Sequence, residues 1–178
     1  MAIITEQMAR RLSVNQVAEQ MMTAARTAPK AKGKDNLEII MVTEDDLQSL
    51  SQKMKEIAVR ENVAFFNRDA ENILNAEAVV FIGTKIQSMG LSFCGLCGFK
   101  NCAEKNQHPN HPCVFNTNDL GIAVGSAVSI AMDNRVDNRV MYTVGMAALE
   151  LNYFSQEVKI AFGIPLSATS KNPFFDRK

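Results

Sequence analysis

All four cysteines of this chain, Cys94, Cys97, Cys102 and Cys113, fall within the single stretch FCGLCGFKNCAEKNQHPNHPC. Free cysteines used as small core hydrophobes would be scattered through buried elements. Crowded into one turn-rich segment, they are expected to converge on a shared centre. The spacing is C-x2-C-x4-C-x10-C. Two intervening residues let one tight turn present both sulfurs on the same side, and Gly95 and Gly98 supply the backbone freedom for it. Small residues there also let backbone N–H groups point at sulfur, which favours an anionic thiolate cluster. Pro109 and Pro112 stiffen the return to Cys113.

Three uses of these thiols compete. A 4Fe–4S cluster takes four thiolates, and four are present. Structural zinc accepts four cysteines, or three with a histidine, and His108 and His111 lie in the same segment. Against zinc, the second half lacks the paired C-x-x-C of a zinc ribbon. The third use is none, with four incidental thiols. The histidines read as solvent-exposed loop residues. Disulfides come last, because no stretch of signal-peptide length opens the chain and a cytoplasmic setting keeps thiols reduced.

Composition removes other classes. Lysine and arginine total 19, as do aspartate and glutamate, so the net charge of zero argues against a nucleic-acid partner. The longest mostly apolar run, Leu120 to Met132, is too short to span a bilayer, so no membrane role is expected. Neither common glycine-rich phosphate loop is present. With both histidines in the cysteine segment, a serine–histidine hydrolase has no base. The ten methionines are read as core filler.

One α+β domain over residues 1–178 is expected, with the cysteine-rich segment 90–115 inside it. Met8, Leu12, Ala18, Met21, Met22 and Ala25 mark a first helix that stops before Pro29. Residues 30–36 read as a loop, and 37–42 (LEIIMV) as a strand. Thr43 with Asp46 forms a variant capping box for a helix carrying Leu47, Leu50, Met54 and Ile57 on one face. Ala78 to Ile82 reads as a strand. Asp119 is expected to cap a helix through Met132, with Gly121 and Gly125 admitting a close neighbour. A helix over 140–151 and a strand over 158–164 follow. Asp133, Arg135, Asp137 and Arg139 read as surface salt bridges, and the terminal Pro-Phe-Phe-Asp-Arg as a segment packing across a partner subunit.

The stretch CGLCGFKNCAE (94–104) resembles the 4Fe–4S module found beside electron-transfer and corrinoid-protein subunits. Its four cysteine ligands correspond here to Cys94, Cys97, Cys102 and Cys113, with a last gap shorter than in most members. More broadly, AARTAPKAKGKDNL (24–37), FNRDAENI (66–73), DLGIAVGSAV (119–128), VDNRVMYTVGMAA (136–148) and GIPLSATSKNPFFDR (163–177) resemble an uncharacterised family of ferredoxin-domain-containing proteins. This implies an iron–sulfur cluster but adds no reaction; electron transfer with an unidentified redox partner is the leading expectation, and a zinc-stapled interaction module without redox activity is an alternative. Residues 24–36 are more distantly similar to the nitroreductase family, dimeric flavoproteins that hold FMN at the subunit interface. The family's Ala-Pro-Ser-Ala reads Ala28-Pro29-Lys30-Ala31 here, and Gly33, Asp35 and Leu37 replace its asparagine, glutamine and tryptophan. Arg10 and Arg11 resemble the arginines that hold the FMN phosphate, although a solvated helix face also accounts for them. That similarity implies a nitroreductase-like α+β sandwich and a homodimer, with an FMN-dependent oxidoreductase as an alternative function.

Overall fold

The computed structural model describes residues 3–175. In chain order the elements are α1 (Glu6–Thr27), β1 (Leu37–Thr43), α2 (Glu44–Glu61), α3 (Phe65–Ile73), β2 (Ala78–Lys85), α4 (Cys102–Asn106), α5 (Val114–Asp133), β3 (Asp137–Asn138), α6 (Tyr142–Glu150) and β4 (Val158–Ser167). The strands form one antiparallel sheet in the order β1-β2-β4-β3.

Strand β2 explains the layering. Successive side chains point to opposite faces, so a continuous apolar run must be covered on both. Val79 and Phe81 face a core built with Leu50, Met54 and Ile57 of α2, Phe66 and Ile73 of α3, and Val144 of α6. Ala78, Val80 and Ile82 face the other way, against Val14, Ala18 and Met21 of α1 and Leu120, Ala123 and Ala127 of α5. The α+β sandwich expected from the sequence is therefore present, with helices on both sides of the sheet.

Helix α6 comes unusually close to the sheet. A Cβ on Gly145 would stand 2.0 Å from the carbonyl oxygen of Ala161 in β4, and one on Gly163 would stand 2.5 Å from Cγ1 of Val144. A glycine on each side of the contact lets the helix lie directly on the strand.

Several local expectations are corrected. The Thr43 side chain makes no capping bond to α2. Helix α5 begins at Val114 with Cys113 as its N-cap, so Asp119 lies inside the helix and caps nothing. Among the described residues nothing outside the helix's own backbone lies within 4 Å of a Cβ built on Gly121 or Gly125, so none of them packs closely there.

The Arg139 Nη1 does not join a surface pair with Asp133 or Asp137. It donates to the Phe174 carbonyl at 2.7 Å and lies 3.5 Å from the buried Asp69 carboxylate. Asp69 also accepts from Arg68 at 2.7 and 3.0 Å and from Thr143 Oγ1 at 2.8 Å. Phe174 is wholly buried in its own chain, where this clasp pulls the C-terminal segment onto α3. Phe175 remains exposed beneath the Arg139 guanidinium, while Asp176 and Arg177 of the same expected packing segment lie outside the described residues.

Candidate metal centre in the cysteine-rich connection

The cysteine segment is the connection that leaves β2 and returns at α5. Cys94 and Cys97 are half-buried on a turn closed by the Gly98 N–H donating to the Gly95 carbonyl at 3.0 Å. Gly98 has φ +86°, a conformation that L side chains rarely adopt, and this is why a glycine follows the second cysteine. Cys102 opens α4, whose N-cap Asn101 accepts the Glu104 N–H at 3.0 Å. Phe99 stacks on His108 at 5.1 Å and meets the edge of His111 at 5.4 Å. Both histidines are exposed, as expected, and their rings pack the loop.

Cys113 is placed differently, being only 4 % exposed. It is the N-cap of the 20-residue α5, in a capping-box arrangement with Asn116, whose N–H donates to the Cys113 carbonyl at 2.9 Å. The positive end of a helix dipole favours an anionic group there. In return Asn116 Oδ1 accepts from the Cys113 N–H at 3.3 Å and from the Gln87 N–H at 3.0 Å. This pins the amide, and its Nδ2 is left buried without a partner. A buried donor of this kind is costly unless something accepts from it.

The four thiols are free. Among the described residues, no three His, Cys, Asp or Glu side chains are grouped as ligands of one metal ion. A mononuclear zinc site needs all its ligands within about 2.3 Å of one point. A 4Fe–4S cube takes one thiolate on each iron, so its sulfurs surround a larger object. In donor chemistry the segment fits that group: four thiols, a helix N-terminus at one of them, and an unsatisfied amide beside it.

The stretch similar to the flavin-binding region is occupied by structural bonds. Lys30 Nζ donates to the carbonyls of Ala25, Arg26 and Ala28 at 2.9, 2.7 and 2.7 Å, closing the C-terminus of α1. Burial holds its pKa below the ordinary lysine range. Arg10 Nη1 is tied to the Ala168 carbonyl at 3.2 Å. Asp119 accepts the Ala31 N–H at 3.1 and 3.2 Å and is 4 % exposed.

Burial also raises the Asp119 pKa above its ordinary 3.8. The folded state then binds this proton more tightly than the unfolded chain does. The stability it contributes is full below pH 3.8 and is lost as pH rises through the folded pKa. Asp119→Asn keeps the acceptor for Ala31 and removes that slope. It is expected to raise the melting temperature at pH 7 relative to the parent, with the gap closing in acid, as thermal scans across pH would record.

Asp69, Lys105 and Asn116 escaped the sequence reading. Only Asn116 left a signal, an amide three residues after a cysteine, which is capping spacing.

Solved structures share the fold. A nitroreductase with bound FMN from Bacteroides fragilis matches with a TM-score of 0.61 at 10 % identity, over 99 % of this chain and 84 % of that one. A nitroreductase with bound FMN from Desulfitobacterium hafniense matches at 0.58 and 16 %, over 99 % and 85 %. A BluB-like flavoprotein from Clostridium difficile matches at 0.58 and 18 %, over 96 % and 84 %. The architecture is thus nitroreductase-like.

An uncharacterized protein of Archaeoglobus fulgidus is 40 % identical over 167 residues, 88 % of each chain. Residues 110–177 match the family described as "Uncharacterized protein containing a ferredoxin domain (DUF2148)". The chain belongs to this family of ferredoxin-domain-containing proteins. Among the described residues, no helix is long and apolar enough to cross a membrane.

Proposed function

We propose that this chain is a redox protein in which Cys94, Cys97, Cys102 and Cys113 hold one 4Fe–4S cluster that serves single-electron transfer. The family and the nitroreductase-like fold support a redox role. The observation that carries the finer reading is the head of α5. There Cys113 is the buried N-cap of a 20-residue helix, while the amide of Asn116 beside it is buried with a spare donor.

When bound, such a cluster supplies a reversible one-electron couple. The chain's own part is to hold and tune it. The Gly95–Gly98 turn presents two thiols, α4 and α5 each bring one at their first turn, and the positive end of α5 would offset negative charge on sulfur. Phe93 and Leu96, 98 % and 71 % exposed beside Cys94 and Cys97, form an apolar rim suited to a redox partner.

The protomer is proposed to work as a homodimer in a reducing, cytoplasmic setting. Support comes from the exposed Leu12 of α1 and Met132 of α5, and from the open glycine face of α5. A flavin oxidoreductase is the second reading, favoured by the FMN named for two structures of like fold. It ranks below the first because Lys30 and Arg10 are held by backbone carbonyls.

Purification without oxygen, followed by iron, sulfide, zinc and flavin analysis, tests these readings together. About four irons and four sulfides per chain, with charge-transfer absorption, are expected. Stoichiometric zinc with iron unable to compete would replace the redox reading by a zinc-stapled interaction module. Saturable FMN binding by a dimer would add the flavin.

A further inference from the structure

We propose that the cavity between the end of β2 and α4 is a binding site for a small oxyanion, a carboxylate or phosphate, held by Lys105. The cavity is about 360 Å³ and is lined by Ile86, Gln87, Ser88, Lys105, Asn106 and Pro109. Lys105 is only 3 % exposed, one of the few buried charged residues among those described. Its backbone N–H and carbonyl are used within α4 and the following turn, with Asn101 and His108. Its ammonium has neither a hydrogen bond nor an ion pair among the described residues. A cation kept largely from water, with no partner among the described residues, is disfavoured. The missing counter-charge is therefore assigned to a ligand in the cavity that Lys105 lines.

The remaining lining points to the same chemistry. No acidic residue borders the cavity. The neighbouring Glu104 carboxylate is engaged by the Lys100 N–H at 2.6 Å. Ser88 Oγ donates to Asn106 Oδ1 at 2.6 Å, so the Asn106 amide has its Nδ2–H donors left for a ligand. One ammonium with a neutral amide donor and no competing carboxylate suits a small anion with two or more oxygens. At about 30 Å³ per water molecule the space holds such an anion together with part of its hydration. None of the four cysteines lines the cavity, so this site does not rest on the metal reading.

Calorimetric titration of the full chain with inorganic phosphate and with acetate, at ionic strength fixed by chloride, tests the proposal. Saturable binding of at least one of them is expected. If phosphate alone binds, the site is a phosphate site; if acetate binds as well, it accepts carboxylates too. Lys105→Met should weaken binding about tenfold or more, through loss of a charge-assisted bond. Asn106→Asp, which places a carboxylate at the rim, should weaken it as well, and the exposed Lys100→Met should leave it unchanged.

A second readout guards against misfolding. In chloride buffer without phosphate or carboxylate, Lys105→Met should melt no lower than the parent, because it removes a largely buried charge that the described residues do not neutralise. Heats indistinguishable from dilution for both anions, or undiminished binding in Lys105→Met, would overturn the proposal. So would a melting temperature several degrees lower for Lys105→Met in that chloride buffer, which would place the partner of the ammonium within the chain.

Discussion

Cys113→Ser is expected to abolish most of the iron content while leaving the metal-free fold nearly intact. The two roles of Cys113 separate cleanly at this position. Cys113 occupies the N-cap of α5, in a capping-box arrangement with Asn116, and serine is among the strongest residues for that position. The hydroxyl retains the cap, and stability of the metal-free chain should stay within about 1 kcal/mol of the parent in urea titration. A thiolate ligand is nevertheless gone, and iron per chain should fall from about four to below one, with loss of the charge-transfer band. Cys113→Ala removes both roles, and should cost about 1 kcal/mol more in the metal-free protein. A full complement of iron in both variants would take Cys113 out of the ligand set. It would leave the helix cap as the only role of that residue.

Gly145→Ala should unfold the protein or come near it. The added methyl would meet the Ala161 carbonyl oxygen at 2.0 Å, its carbon at 2.5 Å and the Phe162 Cα at 2.9 Å. All three atoms belong to the backbone of β4, which is hydrogen-bonded along its length to β2. A flexible side chain could swing aside, but a paired strand cannot. To admit the methyl, α6 must lift from the sheet, and with it the packing of Val144, Ala147 and Ala148 in the core shared with α2 and α3. The loss is expected at about 3 kcal/mol or more, the upper end of overpacking costs. Gly121→Ala is the matched control. Among the described residues no atom outside its own helix backbone lies within 4 Å of its Cβ position, so in the monomeric chain the better helix propensity of alanine should stabilise by up to about 1 kcal/mol. Denaturant midpoints measured side by side would expose any departure from this opposition of sign.

Much of the fold was legible in short stretches. The halt before Pro29, the apolar run of β1 and the single face of α2 rest on effects that reach no farther than one turn or one pleat. The resemblances at 24–37 and 119–177 carried the architecture beyond that range. The head of α5 was misplaced because the segment holds two capping residues, Cys113 and Asp119. What separates them is the Asn116 side chain reaching both Cys113 and Gln87, a residue 29 positions earlier. The C-terminal phenylalanines were assigned to a partner on apolarity alone. That Phe174 enters its own core depends on Arg139 and Asn72 both bonding its carbonyl oxygen.

Spacing and residue type along the chain were enough to name four sulfurs, the turn that presents two of them and the apolar periods of helix and strand. Each is a local property, set by steric preference over a few residues. Which glycines touch a strand, where Asp119 finds its donor, and why Lys105 sits out of water were decided only by tertiary structure. Each of these depends on groups brought together from distant parts of the chain, and the cost of burying a charge or placing a methyl is undefined until its surroundings exist.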